Sequence, residues 1–184
     1  MENKKKATDQ QLIKELRKKN EYLGFAIQGM GVGIWDWNVK TGQVDFNERW
    51  AEIIGHKLKN LKPSIKTWEK FSHPDDLKCS ERALEKHFSG ETDQYVCETR
   101  MKHKKGHWVW VLDQGKVFEW DKKGKPIRVV GTHLDITARK EEEEELKKLS
   151  EVTIGRELRM IELKKEINAL LKELGRSEKY KVGF

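Results

Sequence analysis

The sequence predicts an α+β fold in which antiparallel strands and short helices form a core between two amphipathic helices. Three observations carry this reading. All seven tryptophans lie between Trp35 and Trp120, so the core-building side chains are concentrated in the middle of the 184-residue chain. That middle alternates apolar and polar residues with period two in short runs broken by turn residues, as half-buried strands do. The two ends instead repeat their apolar residues every three to four positions. With 36% hydrophobic and 38% charged residues, the chain is too polar for a compact globule throughout, but it suits a smaller core with long solvated helices. Its length holds one domain of roughly 100–150 residues plus extensions.

The elements follow in order. "TDQQLIKELRKKNEYLGFAIQ" (8–28) sets Leu12, Leu16, Leu23 and Ala26, with Met30 just beyond it, on one seam of a helix. "GMGVGIWDW" then leads into a strand. Its glycines precede the strand, and Ile34 stands where a dinucleotide loop needs its third glycine, so no such loop is indicated. "VKTGQVDF", with Thr-Gly between two apolar runs, reads as a β-hairpin. "NERWAEIIGH" reads as a short helix with Trp50, Ile53 and Ile54 on one face and Gly55 at its end. In "FSHPDDLKCSERALEKHFSG", Pro74 suits the first helical turn, where its missing N–H costs nothing, and Asp75 and Asp76 complement the positive helix end. Leu77, Ala83, Leu84 and Phe88 supply its buried stripe, and Gly90 stops it. "QYVCETRMKH", "HWVWVLDQGKVFEW" and "KPIRVVGTHLDI", joined by the turns "KKG" and "DKKGK", form an antiparallel meander.

In the last segment, "RMIELKKEINALLKELG" repeats Met160, Leu163, Ile167, Leu170 and Leu174 at intervals of 3, 4, 3 and 4, the spacing that keeps one seam facing a partner helix. Ile161 and Leu171 widen that stripe. Carried backward, the register puts Arg156 and Thr153 on the seam with Gly155 between them, which predicts a weak or bent point near residues 153–156.

"GIWDWNVKTGQVDFNERWAEIIG", "HPDD" and "GHWVWVLDQGKVFEWDKKGKPIRVVGTHLDIT" together resemble a PAS sensory domain with its C-terminal S-box portion, over about residues 28–138. The resemblance implies one five-stranded antiparallel sheet with short helices on one face, enclosing a small pocket. It also implies that Asp135-Ile136-Thr137 is the boundary between the last strand and an output helix. The chain then divides into an N-terminal helix (1–28), the PAS domain (29–137) and C-terminal signalling helices (138–184). A strand joined to a helix through so short a boundary cannot shift without moving that helix, so Asp135, Ile136 and Thr137 are the expected signal relay. Asp135 reads either as an ionised strand-end carboxylate or as a helix N-cap, a role Thr137 would serve equally well. On segments that line the pocket in the family stand Leu84, His87, Met101, Trp110, Leu112 and His133. Alternation alone does not tell which strand face points inward.

Composition and motifs narrow the function. The net charge is +7 with pI ≈ 9.2. It is dispersed: 7 basic against 4 acidic residues in 1–28, 19 against 16 in 29–137 and 12 against 11 in 138–184, with Lys4 to Lys6 the one local cluster. A phosphate-binding surface needs clustered cations, so no nucleic-acid partner is expected. No run approaches the roughly 18 apolar residues of a membrane span, and a cytoplasmic location is expected. Cys79 and Cys97 form no CxxC pair and lack metal-ligand spacing, so neither a disulfide framework nor a metal site is indicated. His103 and His107 flank a turn without a third ligand and read as solvated. "SHPDD" is explained as a helix start without acid–base chemistry.

The cofactor is left unknown. A haem-binding member would need an axial ligand on the helix of residues 76–88, where Cys79 and His87 are the candidates. The family's flavin-adduct motif, Asn-Cys-Arg-Phe-Leu-Gln, does not occur. All six histidines lie between His56 and His133, so the C-terminal helix carries no phosphoacceptor histidine, and no nucleotide lid is present. The expected function is therefore non-enzymatic: a sensor of a small ligand or partner that relays through a C-terminal helix to a downstream kinase or other output, as a homodimer through its flanking helices. The rival is a protein–protein interaction scaffold with a filled core. A cavity of mixed polarity favours the sensor, and a packed one the scaffold.

Overall fold

The computed structural model describes residues 2–181, with side chains from Gln10 onward, so the side chains of Lys4 to Lys6 lie outside the described ones. Five strands build one antiparallel sheet: β1 (Gly33–Asn38), β2 (Val44–Phe46), β3 (Tyr95–Lys102), β4 (Trp108–Trp120) and β5 (Pro126–Asp135), in the order β2-β1-β5-β4-β3. Helix α1 (Glu2–Met30) precedes β1. Helices α2 (Glu48–Ile53), α3 (Ile65–Phe71) and α4 (Pro74–Phe88) connect β2 to β3, and α5 (Thr137–Glu173) follows β5. The chain divides after Thr137 into two compact units.

The alternation of β3 and β4 fixes the inward face. Tyr95, Cys97, Thr99 and Met101 of β3 and Val109, Val111 and Asp113 of β4 are buried, with half-buried or exposed residues between them. Trp35 lies across the facing glycines Gly115 and Gly131, a cross-strand pair, and a β-carbon on either would collide with its indole. Two residues without side chains therefore make the slot that the largest side chain fills.

Edge strand β3 is covered by the start of α4. His73 N–H donates to the Arg100 carbonyl (2.8 Å), and the Asp76 carboxylate accepts the Arg100 N–H (2.8 Å) and, side by side, Nε (2.8 Å) and Nη2 (2.7 Å) of its guanidinium. Edge N–H and C=O groups that would otherwise template another strand are thereby occupied. Burial pulls the Asp76 carboxyl upward, but the hydrogen bonds and charge of Arg100 outweigh it and hold the group below its ordinary 3.8.

Several expectations need correction. Helix α1 runs on through Gly29 to Met30, and its seam residues Leu12, Leu16, Leu23 and Met30 are exposed. Helix α3 has no counterpart in the sequence reading, although Ser64 stands at its N-cap and accepts the Lys66 N–H. On α4 the fully buried positions are Ser80 and His87, while Leu77, Ala83, Leu84 and Phe88 are half-buried. His87 tolerates burial because both ring nitrogens are bonded. Its Nε2 accepts Val117 N–H (3.1 Å), which leaves Nδ1 to donate to the Thr92 carbonyl (2.9 Å). Helix α5 runs through Gly155 without ending, so the weak point expected near residues 153–156 lies inside one continuous helix.

Candidate functional site

A buried polar network sits at the centre of the sheet's inner face. Asp113 is 3% exposed, yet its carboxylate accepts Trp35 Nε1–H on Oδ1 (2.9 Å) and the Tyr95 hydroxyl on Oδ2 (2.9 Å). His133, directly opposite Asp113 on β5, brings Nε2 to 3.1 Å from Oδ1, within ion-pair range but without hydrogen-bond alignment. A carboxylate in such a place needs donors on both oxygens, and the tryptophan and tyrosine supply them. Burial, followed by the adjacent Asp113 charge, pushes the Tyr95 phenol well above its ordinary 10.0, so Tyr95 remains a donor.

Asp113 and His133 lie beside a cavity of about 30 Å³ whose accessible surface is almost wholly apolar, walled by Trp35, Trp37, Phe46, Trp68, Leu84 and neighbouring residues. The volume is far below the roughly 300–1,000 Å³ of pockets for drug-sized ligands. Trp37 and Trp68, which line it, each bury an indole N–H that has no hydrogen-bond partner.

The structure distributes the six pocket candidates unevenly. Leu84 and His133 line the cavity. Met101 is buried in the apolar core away from its walls, and His87 is engaged by Thr92 and Val117. Trp110 and Leu112 face the other side of β4, because the inward residues are Val109, Val111 and Asp113. Asp113, Tyr95, Trp35 and Trp37 were missed. The one available signal was Asp113 itself, an acidic residue in the apolar run "HWVWVLDQG". The two haem-ligand candidates are also engaged elsewhere, His87 as above and Cys79 against Cys97.

The three residues after His133 and Leu134 are sewn to β4. Ile136 N–H donates to the Trp110 carbonyl (2.9 Å), and the Trp110 N–H donates to Thr137 Oγ1 (3.0 Å). Asp135 Oδ1 accepts Thr137 N–H (2.9 Å) at the first turn of α5, the geometry of a side chain that satisfies a helix-start donor. Ile136 is buried between these polar neighbours. On the outer face, Arg100 lies over the Trp110 ring at 5.3 Å, so contacts run unbroken from Asp76 through Arg100 and Trp110 to the joint.

Cys79 and Cys97, unrelated by sequence spacing, are brought together, with sulfur atoms 3.5 Å apart and both thiols free. His103 and His107 stack across their turn at 4.3 Å. Among the described residues no group of three or more His, Cys, Asp or Glu side chains could hold a metal ion, and no helix is long and apolar enough to cross a membrane.

The plan of this core is that of a sensory domain. The sequence profile of the PAS fold matches residues 43–133. A sensory box histidine kinase/response regulator from Burkholderia thailandensis is 31% identical, with a TM-score of 0.63 over 73% of this chain and 98% of that one. The chain belongs to the PAS family, and its folded core is a sensory signalling module. Two further structures share the fold. One is the N-terminal domain of a diguanylate cyclase with PAS/PAC sensor from Marinobacter aquaeolei (22% identity, TM-score 0.51, 59% of this chain and 97% of that one). The other is a PAS domain from Colwellia psychrerythraea (17%, 0.51, 64% and 97%). No curated protein sequence matches the chain significantly.

Proposed function

We propose that the chain is a non-enzymatic sensor whose input changes the packing around Asp113 and whose output leaves through Asp135, Ile136 and Thr137 into α5. One observation carries this reading: the same two strands hold both ends of the path. Strand β4 gives Asp113 to the buried network and Trp110 to the joint, while β5 gives His133 to the network and Asp135 to the joint. A displacement of either strand at the cavity reaches the start of α5 within four residues. An input shifts this equilibrium only by as much as it prefers one arrangement over the other.

The cavity selects for a small input. At about 30 Å³ and almost wholly apolar in its lining, it admits a ligand of very few heavy atoms unless the aromatic walls part. The proposed output is a homodimer through the flanking helices, feeding a kinase or another output domain, as the names of similar proteins suggest. A cytoplasmic setting fits this reading. The small cavity is also what favours the scaffold as a second reading, with a core that serves packing alone.

Native mass spectrometry and an absorption spectrum of the freshly purified chain, with hydrogen exchange of wild type and Asp113→Asn, separate the two. A retained small molecule, or exchange in residues 138–150 that changes when Asp113 is altered, supports the sensor. A bare chain with unaltered exchange there supports the scaffold.

A further inference from the structure

We propose that Cys79 and Cys97 are a site of reversible oxidation by hydroperoxides, closing to an intramolecular disulfide that ties α4 to β3. Their sulfur atoms are 3.5 Å apart, and a disulfide bond is about 2.05 Å long, so closure asks for an approach of about 1.5 Å. Independent contacts hold the pair in place. One helical turn back on α4 and three residues along β3, the Asp76 carboxylate grips the Arg100 side chain and backbone. Ser72 also bridges to Met101. The thiols therefore face each other without having to order the elements that carry them.

The pair is also asymmetric. Cys79 is exposed and Cys97 is buried, 5% exposed. Burial, together with hydrogen bonding and charge from Cys79, pushes the Cys97 thiol up to about 12, so Cys97 stays protonated and the first reaction falls to Cys79. The Cys79 thiolate attacks one oxygen of a hydroperoxide, and the O–O bond breaks. Cys79 becomes a sulfenic acid, and the other oxygen leaves as an alcohol or water after taking up a proton. The Cys97 sulfur then attacks the Cys79 sulfur. The S–O bond breaks, the hydroxyl leaves as water with the Cys97 proton, and the S–S bond forms. Two thiols are oxidised by two electrons and one hydroperoxide is reduced. An external thiolate attacking the exposed sulfur reverses the bond.

The consequence lies next to the buried network. Cys97 is the direct cross-strand neighbour of Asp113, so the bond fixes α4 to β3 beside the carboxylate that Trp35 and Tyr95 bind. This chemistry does not depend on the identity of any ligand in the cavity.

The test uses the full chain, reduced, freed of reductant and treated with one equivalent of hydrogen peroxide. Expected are an intact mass lower by two hydrogens, loss of both thiols to maleimide, a peptide map joining Cys79 to Cys97, and recovery of both thiols with dithiothreitol. Cys97→Ser should instead accumulate Cys79 sulfenic acid that dimedone traps. Asp76→Asn, which loosens α4 from β3, should slow closure without slowing the first oxidation. The proposal is overturned if Cys79 gains oxygen while Cys97 stays a thiol in the wild type. Bonds that form only between chains, or two thiols that survive excess peroxide, overturn it as well.

Discussion

The hydroxyl of Thr137, first residue of α5, accepts a hydrogen bond from the backbone N–H of Trp110 at 3.0 Å. A side chain at the head of the helix thus takes a place in the sheet's ladder, directly beyond the bond from Ile136 N–H to the same residue's carbonyl. Thr137→Val keeps the shape and removes the acceptor, whereas Thr137→Ser keeps both roles. The loss of such a bond costs about 1 kcal/mol, or roughly a five-fold change in a local opening equilibrium. Amide exchange of Trp110 and of residues 138–145 should quicken by about that factor in the valine variant and stay near wild type in the serine variant. Equal exchange in all three would show that the hydroxyl does not hold the joint.

The Asp76–Arg100 clamp makes a pH-dependent contribution to stability. The carboxyl titrates lower in the folded chain than its ordinary 3.8, so the folded state binds the proton less readily than the unfolded one. Its stabilisation is therefore present above the unfolded value and is lost as pH falls through the lower, folded value. Both side chains are mostly covered, so Asp76→Asn should cost about 1–3 kcal/mol at neutral pH. In urea unfolding between pH 7 and 2.5, the wild type should lose more stability than the variant, and the two curves should converge at the acid end. Parallel curves would remove Asp76 from the acid response.

How much of this was legible in the sequence depends on the kind of signal. Strands β3, β4 and β5 were legible because alternation and turn residues are local, and "TG", "KKG" and "DKKGK" punctuate the sheet where the chain turns. Asp76 was read as a helix-start charge, but its grip on Arg100 was hidden because the partner lies 24 residues away. The inward face of β4 was invisible for a different reason: Trp110 and Leu112 are as apolar as Val109 and Val111, so the pattern offers two faces. Asp113 settles the choice only once Trp35 and Tyr95 are seen to reach it. The glycine slot at Gly115 and Gly131 is likewise a cross-strand fact, and Gly131→Ala should cost about 1–3 kcal/mol by displacing the Trp35 indole.

Tyr95 gives the alkaline counterpart. Its phenol ionises well above its ordinary 10.0 in the folded chain, because burial and the Asp113 carboxylate oppose a second negative charge. The folded state keeps its proton where the unfolded chain releases it. This contribution is complete below pH about 10 and is lost as pH rises toward the folded value. Tyr95→Phe removes the titration along with the hydrogen bond to Asp113, at a cost of roughly 1–3 kcal/mol at pH 7 for a bond to a charged acceptor. Denaturant midpoints should fall more steeply above pH 10 in the wild type than in Tyr95→Phe. Equal slopes would mean that other groups carry the alkaline response.

The last prediction concerns α5. Met160, Leu163, Ile167 and Leu170 keep the 3, 4, 3 spacing along an unbroken helix, Leu174 follows in the turn just past its end, and every one of these residues is exposed, from 38% at Leu163 to 71% at Leu174. Beside them, Ile161 and Leu171 are half-buried, and Asn168 holds the tail through bonds from its side chain to the backbone of Lys179 and Tyr180. The face flanking the seam is therefore engaged within the chain while the seam is left open, the condition in which a knobs-into-holes contact with a second copy gains most from burial. Ile167→Lys together with Leu170→Lys should convert a dimer to a monomer in sedimentation velocity and leave the near-UV circular dichroism of the tryptophan-rich core unchanged. Asn168→Ala, which frees the tail without touching the seam, should leave the dimer intact. A dimer that survives both lysines would place the contact elsewhere, with the exposed Leu12, Leu16 and Leu23 stripe of α1 the next surface to substitute.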